Sequence, residues 1–584
     1  MSTSDPSSSS NTPPSTASTP LGEPKDTGAT SSEADKKRQH RAEKKAEQQR
    51  RKEERKRIAL ETGIDPALLP EAIGSGVLSN GKVQPKGFRP REWAQVPLKE
   101  GEMELSGSRK VSIMSWNMLA QALVRRELFP GSDCLKGKDR IPPLMAEVLY
   151  YAPDVVCLQE CDRLSDHLPH LTLTHSYTSF IGYRNKPHGL LIAHKNTVFD
   201  KVGERGLRLD EQPIDDDPEP LPATTADAAS ARADDEHVDQ PKDDKPPASE
   251  ATDEERPPDA ATPSSRASRM AAGLSRTTRN VALFVALKFK DRPDEGIIVG
   301  TTHLFWHPKH VYERVRQTGI LLREANKFRQ DSPGGAWKDW PVFLAGDFNT
   351  QPCELTYRLL LGARIDQEQV AEFDHSACVH YSVDKFYDPA FEPPTPAEPE
   401  AKEGDEATNE DEQDPDKVIK NTRPARPEDG LADIEQIKKL YGYSEGGSGI
   451  RSAYGENYGL VRGEEDNWYC SRGPGVQNGN DPKPKLTKEQ IEERHRGLTW
   501  EERVTRGDFE PVYTNFTPLW RCTLDFIFLL PPLEESAHPS IRFTSLLKMH
   551  DEGTMGAGLP RKGIEPSDHV AVATEVELSR IQTK

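Results

Sequence analysis

The sequence predicts a single α/β sandwich, and three observations carry that prediction. Short segments rich in β-branched and aromatic residues recur along the chain. Segments with a helical spacing of apolar residues lie between several of them. No second self-contained core pattern appears, so we expect about three hundred residues to fold around one core.

Nine segments are predicted to form strands. They are VSIMSWNML (111–119), DVVCLQE (154–160), TSFIGY (178–183), GLLIAHK (189–195), VALFVALKF (281–289), GIIVGTTHL (296–304), PVFLAGDFN (341–349), LDFIFLL (524–530) and VAVATEVEL (570–578). Helices are predicted at 141–152, where proline lies near the start, at 310–328, where apolar residues recur at three-to-four spacing, and around 355–361.

The remaining segments are predicted to lie outside this core. Residues 1–85 form a disordered N-terminal region, rich in Ser, Thr and Pro at its start, with a basic segment at 36–57 that carries 12 basic and 4 acidic residues. The folded domain spans 86–584 and is interrupted by long disordered insertions, acidic or of low complexity, at about 205–275, 390–430 and 444–496. Long surface insertions cost little closure entropy, so one core can tolerate them.

The net charge of −19 would by itself disfavour a polyanionic substrate. Between Asp210 and Asp259 there are 18 acidic and 4 basic residues, and between Glu392 and Asp416 there are 11 acidic and 1 basic. Together these segments carry −24, which leaves +5 for the rest of the chain. The acidity is therefore local, and a nucleic-acid substrate is not excluded.

Composition excludes several other classes of protein. No apolar run approaches the eighteen or so residues that cross a bilayer, so no membrane association is expected. The N-terminus lacks the basic and apolar regions of a secretory signal, and the 7 Cys include no CxxC pair. We expect an intracellular protein of the cytoplasm, the nucleus or both, with the nucleolus as one option.

Polar residues stand where several predicted strands end. They are Asn117, Glu160, His303, Asp347, Asn349 and Asp525, with Asp568 and His569 just before the last strand. Taken singly, each is as well explained as a turn, a cap or a surface carboxylate. Together they form a set of oxygen and imidazole donors without cysteine, which suits Mg²⁺ or Mn²⁺ and phosphodiester hydrolysis.

The order of these motifs resembles the endonuclease/exonuclease/phosphatase superfamily from about Val111 to Leu578. The resemblance implies a four-layer αββα sandwich of the exonuclease III-like kind in a single catalytic domain. Within it, APDVVCLQECD, HLFWHP (303–308), GDFNTQP (346–352) and TLDFIFL (523–529) resemble the carbon catabolite repressor-type deadenylases, nocturnin, Angel and the fungal Ngl RNA exonucleases. The segment KPHGLLIAHK (186–195) is most similar to the Ngl group.

The resemblance implies a role for each residue of the set. On the metal side it places Glu160 as the principal ligand, Asn117 close to the metal, and Asp568. On the catalytic side, Asp347 would ligate or activate the attacking water, and Asn349 would help to hold the phosphate and the metal. His569 would stabilise the transition state, with its ring oriented by Asp525. His303 would contact phosphate oxygens.

The resemblance also implies a substrate-binding set. An adenine base would be held between Pro308 and Trp520, and Asn280 would face the substrate. Stacking on an indole suits single-stranded nucleic acid. The alternative for Trp520 is a core aromatic, since exposed tryptophan is uncommon.

The function implied is a Mg²⁺-dependent, or Mn²⁺-dependent, 3′-to-5′ RNA exonuclease that trims poly(A) or other single-stranded RNA 3′ ends and releases nucleoside 5′-monophosphates. Two alternatives stay open: a phosphatase or phosphodiesterase acting on 2′,3′-cyclic phosphate RNA ends or a small phosphoester, and a non-catalytic RNA-binding scaffold. The sequence contains no leucine-rich repeat for docking to a deadenylase complex. RNA or ribosome contact through the basic segment 36–57 is a further option.

Overall fold

In the computed structural model, the described residues run from 87 to 580. The larger gaps are 215–277, 381–421 and 463–492, and the shorter ones are 100–104, 106, 173, 185, 427–428, 430, 443–448, 494–495 and 534–538. All described residues belong to the compact unit Ala72–Lys584. The predicted N-terminal region with its basic segment, and most of each predicted insertion, lie outside them.

The strands are β1 Trp93–Gln95, β2 Arg109–Asn117, β3 Val155–Cys161, β4 His175–Phe180, β5 Gly189–Lys195, β6 Phe199–Arg208, β7 Val281–Phe289, β8 Arg292–His303, β9 Val342–Asp347, β10 Val379–His380, β11 Thr422–Arg423, β12 Arg451–Ser452, β13 Asn515–Phe516, β14 Arg521–Cys522, β15 Asp525–Leu529, β16 Ile541–Leu547 and β17 Val572–Leu578. The α-helices are α1 Gly137–Tyr151, α2 Leu164–Leu171, α3 Val311–Gln330, α4 Leu355–Leu360, α5 Gln367–Asp374, α6 Ile434–Tyr441, α7 Ala453–Val461, α8 Trp500–Thr505 and α9 Glu552–Met555. None of the helices in the described part of the chain is long and apolar enough to cross a membrane.

Two mixed sheets form the centre of the molecule. The seven-stranded sheet has the order β1-β16-β17-β2-β3-β5-β4, and the six-stranded sheet has the order β12-β15-β9-β8-β7-β6. In each sheet one neighbouring pair is parallel, β2 with β3 and β8 with β9. The remaining pairs of these two sheets are antiparallel.

Alternation along the strands builds the layers. In β7, Leu283 and Val285 belong to the core between the two sheets, whereas Phe284 belongs to the core that the six-stranded sheet shares with α3 and α6. In β2, Ile113 faces the other sheet and Trp116 packs in the core with α1. Successive strand side chains point to opposite faces. The result is helix, sheet, sheet, helix, so the predicted four-layer αββα sandwich is confirmed.

Some elements were not predicted. Strand β6 has the sequence FDKVGERGLR and pairs with β7 at the edge of the six-stranded sheet. Its many charged residues obscure the apolar pattern that would predict a strand. Strand β16 (IRFTSLL) pairs with both β1 and β17. As an edge strand, β6 needs only one buried face, and its charged residues discourage pairing with another chain.

The predicted insertion at 444–496 includes residues that belong to the folded core. Helix α7 lies inside it, and Tyr454 and Tyr458 pack in the core between the sheets. The Tyr454 hydroxyl donates to the carbonyl oxygen of Leu547 at 2.7 Å. The helix has the sequence AYGENYGLV, whose glycines and polar residues are typical of a loop, and tertiary burial overrides that local preference. Likewise, the predicted insertion at 205–275 begins inside β6, and β11 lies within the one at 390–430.

Gly346 allows β9 to approach β8 closely. A Cβ at this position would lie 2.3 Å from the carbonyl oxygen of Thr302, its partner in the parallel register. We expect Gly346→Ala to lower the free energy of unfolding by about 1–3 kcal/mol, because the backbone must move to relieve the clash. Urea unfolding would measure this change.

Gly137→Ala is the control for that variant. Its Cβ would meet the end of the Arg163 side chain, which can move away, so we expect a change within about 0.5 kcal/mol. Equal unfolding midpoints for the two variants would contradict the close approach of β8 and β9.

Candidate active site

The chain topology gathers polar strand ends at one edge of both sheets. The carboxyl ends of β2 and β3 lie together because these strands are parallel, and the same holds for β8 and β9. Strand β15 begins at this edge because it runs antiparallel to β9, with Asp525 opposite Asp347. His303 is also opposite Asp347 across the β8–β9 pair. Ligand sites of α/β folds commonly lie at such edges.

Asn117 links the two sheets at this edge. Its amide nitrogen donates to Glu160 Oε1 at 3.0 Å and to Asp347 Oδ2 at 2.9 Å. Its Oδ1 accepts from the backbone N–H of Leu119 at 3.0 Å. Glu160 Oε2 accepts from the backbone N–H of Ala120 at 2.8 Å. One carboxylate from each sheet is therefore held against a single amide.

The backbone is strained at two of these positions. Glu160 has φ of 55° and Asn349 has φ of 47°, in the left-handed region that favours glycine. Such conformations cost about 1–3 kcal/mol each and persist only where the surroundings impose them. The Asn349 backbone N–H donates to Asp347 Oδ1 at 2.9 Å, and its side chain donates to the Leu304 carbonyl at 2.8 Å. Strain at both positions is consistent with a functional role for their side chains.

The two carboxyl groups differ in acidity. Burial raises the pKa of Glu160, but two other effects outweigh it and hold that pKa at about 2. One is the attraction of His303 and His188, whose rings are charged at the acid pH where Glu160 titrates. The other is the pair of hydrogen bonds from Asn117 and Ala120. Burial and the neighbouring charge of Asp525 raise the pKa of Asp347 to about 7. At neutral pH Glu160 is therefore a carboxylate, whereas Asp347 can gain or lose a proton.

His569 and Asp525 form a buried pair. His569 Nδ1 lies 2.7 Å from Asp525 Oδ2, and its Nε2 lies 3.7 Å from Asp347 Oδ2. Burial disfavours the imidazolium, yet the charges of Asp525, Asp347 and Asp568 raise the pKa of His569 well above its ordinary value. The Trp116 indole donates to the His569 carbonyl at 2.9 Å and fixes the backbone. The site thus holds a protonated imidazole whose outer N–H points toward Asp347.

His303 is the second imidazole of the site. Its Nε2 lies 3.7 Å from Asp347 Oδ2 and 3.9 Å from Glu160 Oε1. Burial lowers the pKa of His303 to about 3, so the ring is neutral at pH 7. Asp568 lies on the loop before β17, where the Ser567 hydroxyl donates to the Asn117 carbonyl at 2.7 Å. Burial raises the pKa of the Asp568 carboxyl.

The donor set fits a hard divalent cation, because buried carboxylates and an amide converge here. Asp347, Asp525 and His569 each place one donor atom within 4.8 Å of the others. A protonated imidazole bonded to Asp525 is a poor ligand, however, so this trio suits proton transfer better than metal binding. The assignment of Glu160, Asn117 and Asp568 as ligands stays a prediction.

The residues predicted to bind substrate differ in their surroundings. Trp520 is 38% exposed, so the alternative of a core aromatic is wrong. Pro308 is half-buried, and its carbonyl accepts from Arg314 at 2.9 Å. The Asn280 side chain is buried, donates to the His303 carbonyl at 2.8 Å and accepts from Gln317 at 3.1 Å. Its amide is thus engaged on both sides within the protein, and its predicted contact with substrate stays untested.

Sequence reasoning missed two residues beside the site. The His188 ring centroid lies 6.2 Å from that of His303. Burial lowers the pKa of His188 to about 4, against the attraction of Glu160. Burial also lowers the pKa of Lys186 to about 8, and its ammonium donates to the Arg279 carbonyl at 2.8 Å. No local sequence pattern places these residues at the site, because they lie near Glu160 only through the antiparallel pairing of β5, which begins at Gly189, with β3.

The sequence profile described as "Endonuclease/Exonuclease/phosphatase family" matches residues 114–402. The predicted resemblance to this family is confirmed, and the match covers just under half of the chain. Enzymes of the endonuclease/exonuclease/phosphatase family typically depend on a divalent metal, which agrees with the donor set described above.

Curated relatives include a probable RNA exonuclease of Schizosaccharomyces pombe, 25% identical over 80% of this chain and 76% of that protein. RNA exonuclease NGL2 of Saccharomyces cerevisiae is 27% identical over 80% of this chain and 78% of that protein. Among solved structures, ANGEL2, described as a 2′,3′-cyclic phosphatase, is 15% identical over 85% of this chain and 100% of that chain, with a TM-score of 0.43.

Proposed function

We propose that this protein is a divalent-metal-dependent 3′-to-5′ RNA exonuclease that releases nucleoside 5′-monophosphates. The observation that carries the proposal is the buried Asp525–His569 pair, whose imidazole Nε2 lies 3.7 Å from Asp347 Oδ2. The Asn117 amide donates to both Asp347 and Glu160, so the pair and the two carboxylates form one connected site. This is a set of groups for phosphodiester hydrolysis. The names of the two relatives that cover 80% of the chain, both RNA exonucleases, support RNA as the substrate.

Each residue of the site has a chemical role in this proposal. Asp347 accepts a proton from the water that attacks the terminal phosphodiester, since its pKa of about 7 suits a general base. The P–O3′ bond breaks, and the shortened RNA leaves with a 3′-hydroxyl that takes its proton from solvent. His569 donates a hydrogen bond from Nε2 to the charge that develops on the phosphate, while Asp525 fixes its orientation. A bound Mg²⁺ or Mn²⁺, held by Glu160 with Asn117 and Asp568, supplies neutralisation of the non-bridging oxygens. His303, being neutral, can donate to a phosphate oxygen.

The test is a product ladder from purified protein with Mg²⁺. Parallel reactions would contain 5′-labelled poly(A), mixed-sequence RNA, RNA with a 2′,3′-cyclic phosphate end, and DNA. We expect the labelled RNAs to shorten one nucleotide at a time, with 5′-monophosphates released, and DNA to stay intact. Loss of only the terminal phosphate from the cyclic-phosphate RNA would instead favour a phosphatase, and no reaction on any RNA would reject the proposal.

Trp520→Ala is expected to lower kcat/KM on single-stranded RNA by about 5- to 150-fold, because stacking of a base on an aromatic ring contributes about 1–3 kcal/mol. Hydrolysis of a small phosphate ester should change much less, because it makes no stacking contact. Steady-state kinetics on both substrates would measure the difference.

Trp500→Ala is the matched control for Trp520. Trp500 is exposed to a similar degree, 37% against 38%, but its ring stacks on Phe509 at 4.1 Å, so that face is covered. We expect it to leave RNA turnover close to wild type. Equal losses on RNA and on the small ester in Trp520→Ala would count against the stacking role.

A further inference from the structure

A buried guanidinium lies behind the active-site edge. Arg140, in the first turn of α1, is 2% exposed. Its Nε donates to the Pro566 carbonyl at 2.7 Å. Its Nη2 donates to the carbonyls of Met118 at 2.5 Å and Leu119 at 2.7 Å. One planar side chain therefore contacts the backbone of two separate loops.

Both loops carry residues of the site. The first follows Asn117 and includes Ala120, whose N–H donates to Glu160 at 2.8 Å. The second precedes β17 and carries Asp568 and His569. Here the carbonyls receive from two different nitrogens of the planar guanidinium, an arrangement that the single nitrogen of an ammonium does not reproduce.

The charge of Arg140 also lacks a direct partner. No carboxylate among the described residues lies within salt-bridge distance of its guanidinium, which otherwise contacts only Gln121 Oε1, at 3.4 Å. Asp568 and Glu160 are the site carboxylates that act on it electrostatically. A buried cation without an adjacent anion is expensive in free energy, so its retention calls for a compensating role.

We propose that Arg140 is a positioning residue: by joining the loop after Asn117 to the loop before β17, it holds Glu160 and Asp568 at the separation that binds the divalent cation. This inference rests on the proposed metal-dependent function. It concerns the placement of ligands, so it can be tested by metal binding without any RNA.

The experiment compares Arg140→Met and Arg140→Lys with wild type by Mn²⁺ electron paramagnetic resonance titration, steady-state kinetics on RNA and thermal unfolding. We expect both variants to bind Mn²⁺ at least tenfold more weakly and to lose about 10- to 100-fold in kcat, with KM for RNA little changed. Arg140→Lys keeps the charge, so full recovery of Mn²⁺ affinity in that variant would overturn the positioning role. If Arg140→Met fails to fold, the Mn²⁺ affinity of Arg140→Lys still tests the positioning role.

The control is Arg329→Met. Arg329 is 1% exposed in α3 and donates to the Pro531 carbonyl at 3.1 Å and to Asn326 at 2.6 Å. We expect this variant to lose thermal stability but to keep wild-type Mn²⁺ affinity. If Arg329→Met weakens Mn²⁺ binding equally, the effect at Arg140 is merely structural and the inference fails.

The two proposals can fail separately. If wild type binds Mn²⁺ and Arg140→Met weakens that binding, while no RNA is degraded, the proposed function fails and the positioning role stands. Wild-type Mn²⁺ affinity and kcat in folded Arg140 variants of an active exonuclease would remove the positioning role alone. A wild-type protein that binds no Mn²⁺ would overturn the positioning role as well.

Discussion

Glu160→Gln is expected to lower kcat for Mg²⁺-dependent RNA degradation at least about 1,000-fold and to leave the protein folded. The substitution removes a charge that is present at every working pH, since the pKa of Glu160 is held at about 2. The amide is close to the carboxylate in size and can still accept the 2.8 Å hydrogen bond from Ala120, so the local backbone should persist. The rate of degradation of 5′-labelled RNA and the affinity for Mn²⁺ would be measured on the same preparation. We expect both to be lost.

Asp154→Asn provides the matched control on the same strand. Asp154 precedes β3 at its opposite end, where it accepts from the Ser112 N–H at 2.9 Å and from Lys195 at 2.8 Å. Its loss should reduce stability and leave kcat and Mn²⁺ affinity unchanged. A Glu160→Gln enzyme with wild-type activity would remove Glu160 from the metal site.

The strand ends were the most informative part of the sequence. Asn117, Glu160, His303, Asp347 and Asp525 each interrupt an apolar strand pattern, and the structure brings all five to one edge. Taken singly, each has an ordinary structural explanation, but their recurrence at the ends of several strands predicts a shared edge without knowledge of the pairing. The order of strands in the sheets could not be predicted in this way, because pairing depends on contacts distant in sequence.

Other features escaped prediction for physical reasons. The edge strand β6 is predominantly polar, and α7 has a loop-like composition but buries Tyr454 between the sheets. His188 lies near Glu160 only because β5 pairs antiparallel with β3. The hydrogen bond from Arg140 to the Pro566 carbonyl joins residues more than four hundred positions apart, and no local sequence pattern predicts such a contact.

Asp525→Asn is expected to lower kcat about 100-fold or more, because it separates the imidazole of His569 from the charge that orients and protonates it. The asparagine can still contact Nδ1, which lies 2.7 Å from Oδ2 in the wild type, so the ring should stay in place. If the two residues act as one unit, Asp525→Asn should cost little more in a His569→Ala background. Additive losses in this double-mutant cycle would contradict the coupling.

The pH dependence gives a second and independent test of the pair. Burial lowers the pKa of His569, and the charge of Asp525 is the foremost of those that raise it well above its ordinary value. The stabilisation from a raised pKa is complete below the unfolded value of about 6.5 and is lost as pH rises through the folded value. Wild-type kcat should therefore fall on the alkaline side, where His569 loses its proton, as well as on the acid side, where Asp347, with a pKa of about 7, gains one. In Asp525→Asn the opposing charge is gone while burial remains, so the pKa of His569 drops and the alkaline limb of the kcat profile should move to lower pH. An unshifted limb, with kcat reduced equally at every pH, would mean that Asp525 acts on catalysis without controlling the proton of His569.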